Sequence, residues 1–186
     1  MNLILAVTGA SGAHAAQLLL EKSPWPVALV ASGHGLDLCR REGVDFPALA
    51  RQAQAVYDDA DLAASISSGS VPTAGMVVLP CSANTLGKIA AGLGDSLISR
   101  AAHCHLKERR QLILCLRESP LTLIDLDNAR RVAAAGGIIM PLSPPFYMTA
   151  DRPPRAVSMT DLLEAFVDRV LAILGAPAAA NWETIA

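Results

Sequence analysis

The sequence predicts a doubly wound α/β domain with a mostly parallel sheet and helices on both faces. Short apolar runs bounded by Gly, Ser or Pro alternate with longer stretches of helical periodicity. The runs are continuously apolar, which is typical of strands covered on both faces. In such a fold, ligands gather beyond the carboxyl ends of the strands.

The expected elements follow one another along the chain. Strands are expected at LILAV (3–7), VALVA (27–31), MVVLP (76–80), LILCL (112–116) and IIMP (138–141). Helices are expected at 12–22, 34–42, 83–93, 95–107, 122–135 and 161–174. The last helix carries an apolar stripe that includes Leu163, Phe166 and Val170. The Pro-rich segment 141–157 is expected to be a long irregular connection, which is usually functional or disordered.

Length and charge limit the possible classes of protein. The 186 residues predict one domain at 1–175 and a tail at 176–186. The net charge of −2 with scattered basic residues shows no footprint for nucleic acid. The uncharged stretch 62–87 is broken by Gly and Pro, so no membrane span is expected. The N-terminus lacks a basic residue before Lys22 and favours a first strand over a signal peptide, so we expect a cytoplasmic protein.

The cysteines and histidines do not predict a metal site. Cys39, Cys81, Cys104 and Cys115 lack Cys-x-x-Cys spacing, which favours reduced, buried thiols. The HCH triplet at 103–105 would place alternate residues on different faces of a helix.

The loop after the first expected strand, TGASG (8–12), is a candidate cradle for an anionic group. Its glycines allow a tight turn, and the following helix would offer N–H groups and a positive dipole end. The Lys of a P-loop is missing, and so is the Gly-x-Gly-x-x-Gly fingerprint of dinucleotide sites. Ser32 stands where a carboxylate would bind an adenosine ribose. These absences favour a mononucleotide over NAD.

Two further strand ends carry polar residues. The strand at 76–80 is followed by Ser82, Asn84 and Thr85, which either cap a helix or bind a ligand. The strand at 112–116 is followed directly by Arg117 and Glu118, which form either a structural ion pair or part of a site.

Several segments resemble the flavin prenyltransferases, the UbiX family, within the homo-oligomeric flavin-containing Cys decarboxylase-like group. They are TGASGA (8–13), ASISSGS (64–70), GMVVLPCS (75–82), RAAHCHLKERRQLILCLRESPL (100–121) and PPFY (144–147). The resemblance runs from about Leu3 to Gly175, and LKERR followed by RE-x-P-L is specific to the family within that group.

The resemblance implies a transferase that joins a dimethylallyl group from dimethylallyl phosphate to reduced FMN, at N5 and then C6. No metal is needed, and the prenylated FMN would pass to a UbiD-type decarboxylase. Such relatives are homo-dodecamers. The chemistry requires the flavin to be held against the allyl carbon and the leaving phosphate to be stabilised.

The resemblance also assigns residues to roles. Ser11 and Glu42 match family positions near flavin N5, and Arg100 and Glu118 match active-site positions. Lys107, Tyr147 and Arg169 match residues that bind the phosphate end of the donor, and Lys107 is also counted as catalytic. The implied FMN-binding residues are Gly9, Ala10, Ser11, Ser32, Ser82, Ala83, Asn84, Thr85 and Arg117.

The chain departs from the family at a few positions. Val71 stands where many relatives have an aromatic residue, His103 replaces an Asp and Met148 replaces a His, and the connection 148–159 is longer. Two alternatives remain: an FMN-dependent cysteine decarboxylase of the wider group, which lacks LKERR, and a non-catalytic flavin-binding protein.

Overall fold

The computed structural model describes residues 1–149 and 152–177. Within these ranges, six strands form one sheet in the order β3-β2-β1-β4-β5-β6, and each neighbouring pair is parallel. The strands are β1 (Asn2–Val7), β2 (Val27–Ala31), β3 (Ala55–Asp58), β4 (Thr73–Cys81), β5 (Leu112–Leu116) and β6 (Ile138–Ile139). The predicted fold class is confirmed.

Seven α-helices connect and cover the strands in the described ranges. They are α1 (Ala13–Lys22), α2 (Gly33–Arg41), α3 (Phe46–Gln52), α4 (Ala83–Ala90), α5 (Leu97–Lys107), α6 (Leu123–Ala134) and α7 (Met159–Ile173). None of these helices is long and apolar enough to cross a membrane.

The core lies in two layers, one on each face of the sheet. Along β1, Leu3 and Leu5 point into a cluster with residues of α1 and α7. Ile4 and Ala6 point into a second cluster with residues of α4, α5 and α6. Because successive side chains of a strand alternate between faces, a continuously apolar β1 fills both layers.

The fold differs from the expected elements at one edge and at several boundaries. Strand β3 and helix α3 were not expected. Strand β3 has only four residues, which alternate between partly buried and exposed, and α3 has only seven. Strand β4 begins at Thr73, before the expected residue 76. The connection 141–157 contains short 3₁₀ turns at Phe146–Thr149 and Pro154–Ala156. Of the predicted tail at 176–186, all but the first two residues lie outside the described ranges.

Candidate functional site

A polar cleft of about 900 Å³ opens at the carboxyl ends of the strands. The strand order reverses between β1 and β4, and this reversal is the usual ligand site of a doubly wound sheet. The lining combines hydroxyls, an amide and the first residues of several helices: Thr8, Gly9, Ser32, Gly33, His34, Ser82, Asn84, Thr85, Ser96 and Ser99 are among them. The volume lies within the range of small-molecule and cofactor sites.

Thr8 ties the two central strands together at the base of this cleft. Its buried hydroxyl donates to the carbonyl oxygen of Pro80 at 2.8 Å and accepts from the N–H of Ser82 at 2.9 Å. No sequence pattern pointed to Thr8, because both its partners lie more than 70 positions away along the chain.

Two helices present their amino ends to the cleft. Ser32 caps α2 by accepting from the N–H of Gly35 at 3.1 Å, and Ser82 caps α4 by accepting from the N–H of Thr85 at 3.2 Å. The first N–H groups of each helix have no intrahelical partner, and each cap accepts from only one of them. These N–H groups carry the positive end of the helix dipole. This pair of helix ends is suited to an anionic group. The start of α5 is different, because a carboxylate oxygen of Asp59 already accepts from the N–H of Ile98 at 2.9 Å.

Gly35 allows α2 to begin directly against the end of β1. An added Cβ at Gly35 would lie 2.3 Å from the carbonyl oxygen and 2.9 Å from the carbonyl carbon of Val7. Both are main-chain atoms and cannot rotate away, so only glycine permits this approach. Gly35 therefore fixes the distance between two walls of the cleft.

Glu42 occupies the amino end of α1. Its carboxylate accepts from the N–H of Gly12 at 3.0 and 3.1 Å and from the N–H of Ala13 at 2.8 Å. The expectation that these N–H groups are available to an anionic ligand was therefore wrong. The sequence did not reveal the cap because Glu42 lies 30 positions along the chain from Gly12, from whose N–H it accepts at the start of α1.

A second cavity of about 420 Å³ adjoins the same loop. Gly9 lines the first cleft, whereas Ser11 and Gly12 line the second cavity together with Glu42 and Arg117. Leu142 and Leu163 supply apolar walls. Three of the residues assigned by resemblance, Ser11, Glu42 and Arg117, are thus brought together by the fold.

Other residues assigned by resemblance lie elsewhere in the chain. Arg100, on α5, donates to the carbonyl oxygen of Ser67 at 3.1 Å. Lys107 is the last residue of α5, and its ammonium pairs with Glu108 at 2.6 Å, at the end of the sheet where the strands begin. Arg110 precedes β5, and Arg117, which lines the second cavity, follows it. Because a strand rises about 3.3 Å per residue, the end of the sheet near Lys107 is roughly 20 Å from the second cavity.

The remaining three residues are exposed. Glu118 follows β5 and accepts from the N–H of Ser119 at 3.2 Å. Tyr147 is 38% exposed in a 3₁₀ turn, and Arg169 lies on the exposed face of α7. Arg169 is ten residues beyond Met159, which lines the second cavity, or about 15 Å along the helix.

His105 is buried and structural rather than metal-binding. Its Nδ1 is 2.8 Å from the carbonyl oxygen of Ala101 and must donate to it, so Nε2 accepts from the hydroxyl of Thr73 at 2.8 Å. Burial lowers the pKa of His105, the bond to Ala101 opposes this shift, and the charge of Arg110 adds to it. No group of His, Cys, Asp and Glu in the described ranges is arranged to hold a metal ion.

We expect the free energy of unfolding to fall as the pH drops below about 6.5, the usual pKa of histidine. Because the pKa of His105 is lower in the folded chain, the unfolded chain takes up this proton first, and stability rises with pH in this window. One such group contributes at most about 1.4 kcal/mol per pH unit. Urea unfolding at pH about 7.5 and 5.5 should show this loss in the parent and in His103→Gln, and a smaller loss in His105→Gln. An equal loss in all three proteins would contradict it.

Comparison with known proteins identifies what the chain is similar to. A family model described as Flavoprotein matches residues 1–171. The flavin prenyltransferase UbiX of Deinococcus radiodurans is 39% identical over an alignment of 187 residues, which covers 97% of this chain and 93% of that protein.

Two solved structures share the fold closely. One is AnUbiX (PadA1) in complex with FMN and dimethylallyl pyrophosphate, with a TM-score of 0.88 and 36% identity over 97% of this chain and 96% of that one. The other is a dodecameric FMN-dependent UbiX-like decarboxylase from Escherichia coli O157:H7, with a TM-score of 0.88 and 36% identity over 97% and 98% of the two chains.

Proposed function

Because the chain belongs to the flavoprotein family and, within it, to the UbiX flavin prenyltransferases, we propose that it transfers a dimethylallyl group from dimethylallyl phosphate to reduced FMN. The observation that carries the proposal is the polar cleft at the strand reversal, joined through one loop to a cavity with Ser11, Glu42 and Arg117. A relative bound to FMN and dimethylallyl pyrophosphate supports FMN and a phosphorylated dimethylallyl donor as the ligands.

The cleft suits FMN in size, polarity and charge. Ser32 and Ser82 stand at the amino ends of α2 and α4, where two sets of N–H groups favour an anionic phosphate. Hydroxyl and amide groups of Thr85 and Asn84 bond to a flavin edge without adding charge. Gly9, Ala10, Ala83 and Arg117 complete the proposed FMN site. The amino end of α1 does not take the phosphate, because Glu42 already fills it.

In the proposed reaction, the bond between allyl C1 and the phosphate oxygen breaks and C1 joins flavin N5; the double bond of the attached group then takes a proton at C2, and C3 bonds to C6 as C6 loses its proton, which closes a six-membered ring. Reduced flavin supplies the nucleophile. Glu42 accepts the proton that N5 loses, and Ser11, at the same cavity, holds the reacting edge in position. The phosphate leaves with the bonding electrons of the broken bond, so cations must stabilise it.

We propose that the phosphate end of the donor is bound by Lys107, Tyr147 and Arg169. We also propose that the active site includes Arg100 and Glu118. Lys107 lies near the amino ends of the strands, whereas the second cavity lies beyond their carboxyl ends. Arg169 faces away from the core. These residues meet one flavin only if copies of the chain associate, because a surface of one subunit then completes the pocket of another. The dodecameric relative supports this assembly.

An exposed apolar patch is the proposed contact between copies. The patch consists of Leu121, two residues before α6, and of Leu123, Ile124 and Leu126 at the start of α6; Leu123 and Ile124 are 84% and 73% exposed. Such a patch on a single chain indicates a protein interface.

Leu123→Asp is expected to dissociate the assembly and to reduce prenylation at least about tenfold, because burying an unpaired carboxylate at an interface is costly. Light scattering with size-exclusion chromatography measures the mass. Leu62→Asp is the control, since Leu62 is 47% exposed and lies outside the patch. A parent-like mass and activity in Leu123→Asp would remove the patch from the interface.

The direct test is to incubate the protein with reduced FMN and dimethylallyl phosphate without oxygen, then weigh the released flavin. A mass gain of one prenyl group is expected. Unchanged FMN would leave a flavin-binding protein, and carbon dioxide released from a peptidyl or pantothenoyl cysteine would select the decarboxylase instead. The product is proposed to serve a UbiD-type decarboxylase, which can be tested by adding the released flavin to such an apoenzyme.

A further inference from the structure

The segment 67–73 is fixed along α5 by bonds to its main chain. Arg100 Nε and Cys104 Sγ both donate to the carbonyl oxygen of Ser67, each at 3.1 Å. Arg110 Nη1 donates to the carbonyl oxygen of Val71 at 2.6 Å, and its Nη2 donates to that of Gly69 at 2.5 Å. Arg110 therefore uses its planar fork to hold two carbonyl oxygens of one turn.

The end of α5 is shaped to aim Arg110 at this segment. The N–H of Arg110 donates to the carbonyl oxygen of His105 at 2.8 Å, and the N–H of Arg109 donates to that of Leu106 at 3.2 Å. This is a Schellman turn, which usually has glycine at the position held here by Arg109. Arg109 has a φ of 54°, and it is the only non-glycine residue with a positive φ in the described ranges. Conformations of this kind cluster at functional sites.

The same segment lies against Lys107. A Cβ added at Gly69 would lie 2.7 Å from Lys107 Nζ and 2.5 Å from a carboxylate oxygen of Glu108. The position of the Gly69 main chain therefore limits where the Lys107 ammonium can go. Arg110 sets that position through the two carbonyl oxygens that it holds.

We propose that Arg110 is a positioning residue for the prenyl donor: it holds the 67–73 segment so that Lys107 is directed at the donor phosphate. This inference rests on the proposed function, in which Lys107 grips that phosphate. Arg110 acts through the segment and does not itself contact the donor. Losing it disorders the Lys107 site while the cleft at the opposite edge of the sheet stays intact.

The test compares Arg110→Gln with the parent in the same prenylation assay, varying the dimethylallyl phosphate concentration. The KM for the donor is expected to rise about tenfold or more, with FMN affinity unchanged and kcat changed by less than about threefold, since misplacing a binding group by an ångström has large effects. In Arg110→Lys the KM should rise less than in Arg110→Gln. The lysine ammonium can still donate to one of the two carbonyl oxygens, although it lacks the fork that holds both. Deuterium uptake by a peptide spanning 67–72 should increase in Arg110→Gln.

Arg109→Gln is the matched control. It removes one positive charge next to Arg110, and Arg109 makes no side-chain bond within the described ranges, so its KM should match that of the parent. A parent-like KM in Arg110→Gln, or an equal rise in Arg109→Gln, overturns the positioning role. A parent that leaves FMN unmodified refutes the proposed function itself, which is a separate outcome.

Discussion

Glu42→Gln is expected to slow prenylation of FMN by roughly 10²- to 10⁴-fold, the usual contribution of a general acid–base group. Glu42 lines the cavity that also contains Ser11 and Arg117, where we propose that its carboxylate takes a proton from a flavin bound in the adjoining cleft. The amide of glutamine has the same shape and cannot take this proton at neutral pH. Single-turnover rates with reduced FMN and saturating dimethylallyl phosphate measure the effect, and FMN affinity should remain.

The same substitution should also lower stability, and this effect must be separated from catalysis. Glu42 accepts three hydrogen bonds from two N–H groups at the start of α1, glutamine keeps only one of the two acceptor oxygens, and losing a helix cap costs about 0.5–2 kcal/mol. Asp45→Ala is the matched control, because Asp45 caps α3 by accepting from the N–H of Ala48 at 3.2 Å. It should show a comparable loss of stability with parent-like activity. If Glu42→Gln also keeps the parent rate, Glu42 is a helix cap alone.

Gly35→Ala is expected to abolish FMN binding and to lower the free energy of unfolding by about 3 kcal/mol or more, at or above the usual cost of overpacking. The added methyl would overlap the carbonyl oxygen of Val7 at 2.3 Å, and two main-chain segments would have to separate. Moving α2 displaces Ser32 and the helix end proposed for the FMN phosphate. Flavin fluorescence titration measures binding, and urea unfolding measures stability.

Gly87→Ala is the control for this substitution. Gly87 lies inside α4, and an added Cβ would meet only the amide of Asn128 at 3.5 Å, an ordinary contact. Because alanine favours a helix interior over glycine by about 1 kcal/mol, this variant should be as stable as the parent or more so. Tight FMN binding by Gly35→Ala would show that the cleft tolerates a displaced α2.

The fold was largely predictable because its strands are buried on both faces. Each of the five apolar runs contributes to a strand of the sheet. Runs such as LILAV and LILCL do not alternate apolar and polar residues, because both faces of these strands are covered by the core. Strand β3 escaped prediction because its edge position lets it be short and half exposed. Helix α3 has two start signals, the N-cap Asp45 and Pro47 in its first turn. These signals are weak evidence for a helix of only seven residues.

The site was predictable where it depends on local sequence and not where it depends on distant pairs. Ser32 and Ser82 follow strands and cap helices, so their place at the cleft followed from position alone. The cap of α1 by Glu42 and the bridge by Thr8 join residues about 30 and more than 70 positions apart. No periodicity encodes such pairs, and only the folded topology brings them together.

The central place of β1 has a consequence for how the chain emerges from the ribosome. β1 pairs with β2, which ends at Ala31, and on its other side with β4, which begins at Thr73. About 40 residues must be made between these points, which takes roughly 2–8 s at ordinary translation rates. During that time the hydrogen-bonding groups on one side of a strand that is apolar from Leu3 to Val7 have no neighbour, and such an edge is open to pairing with other nascent chains. We therefore expect chaperones to act on the newly made stretch that precedes Thr73.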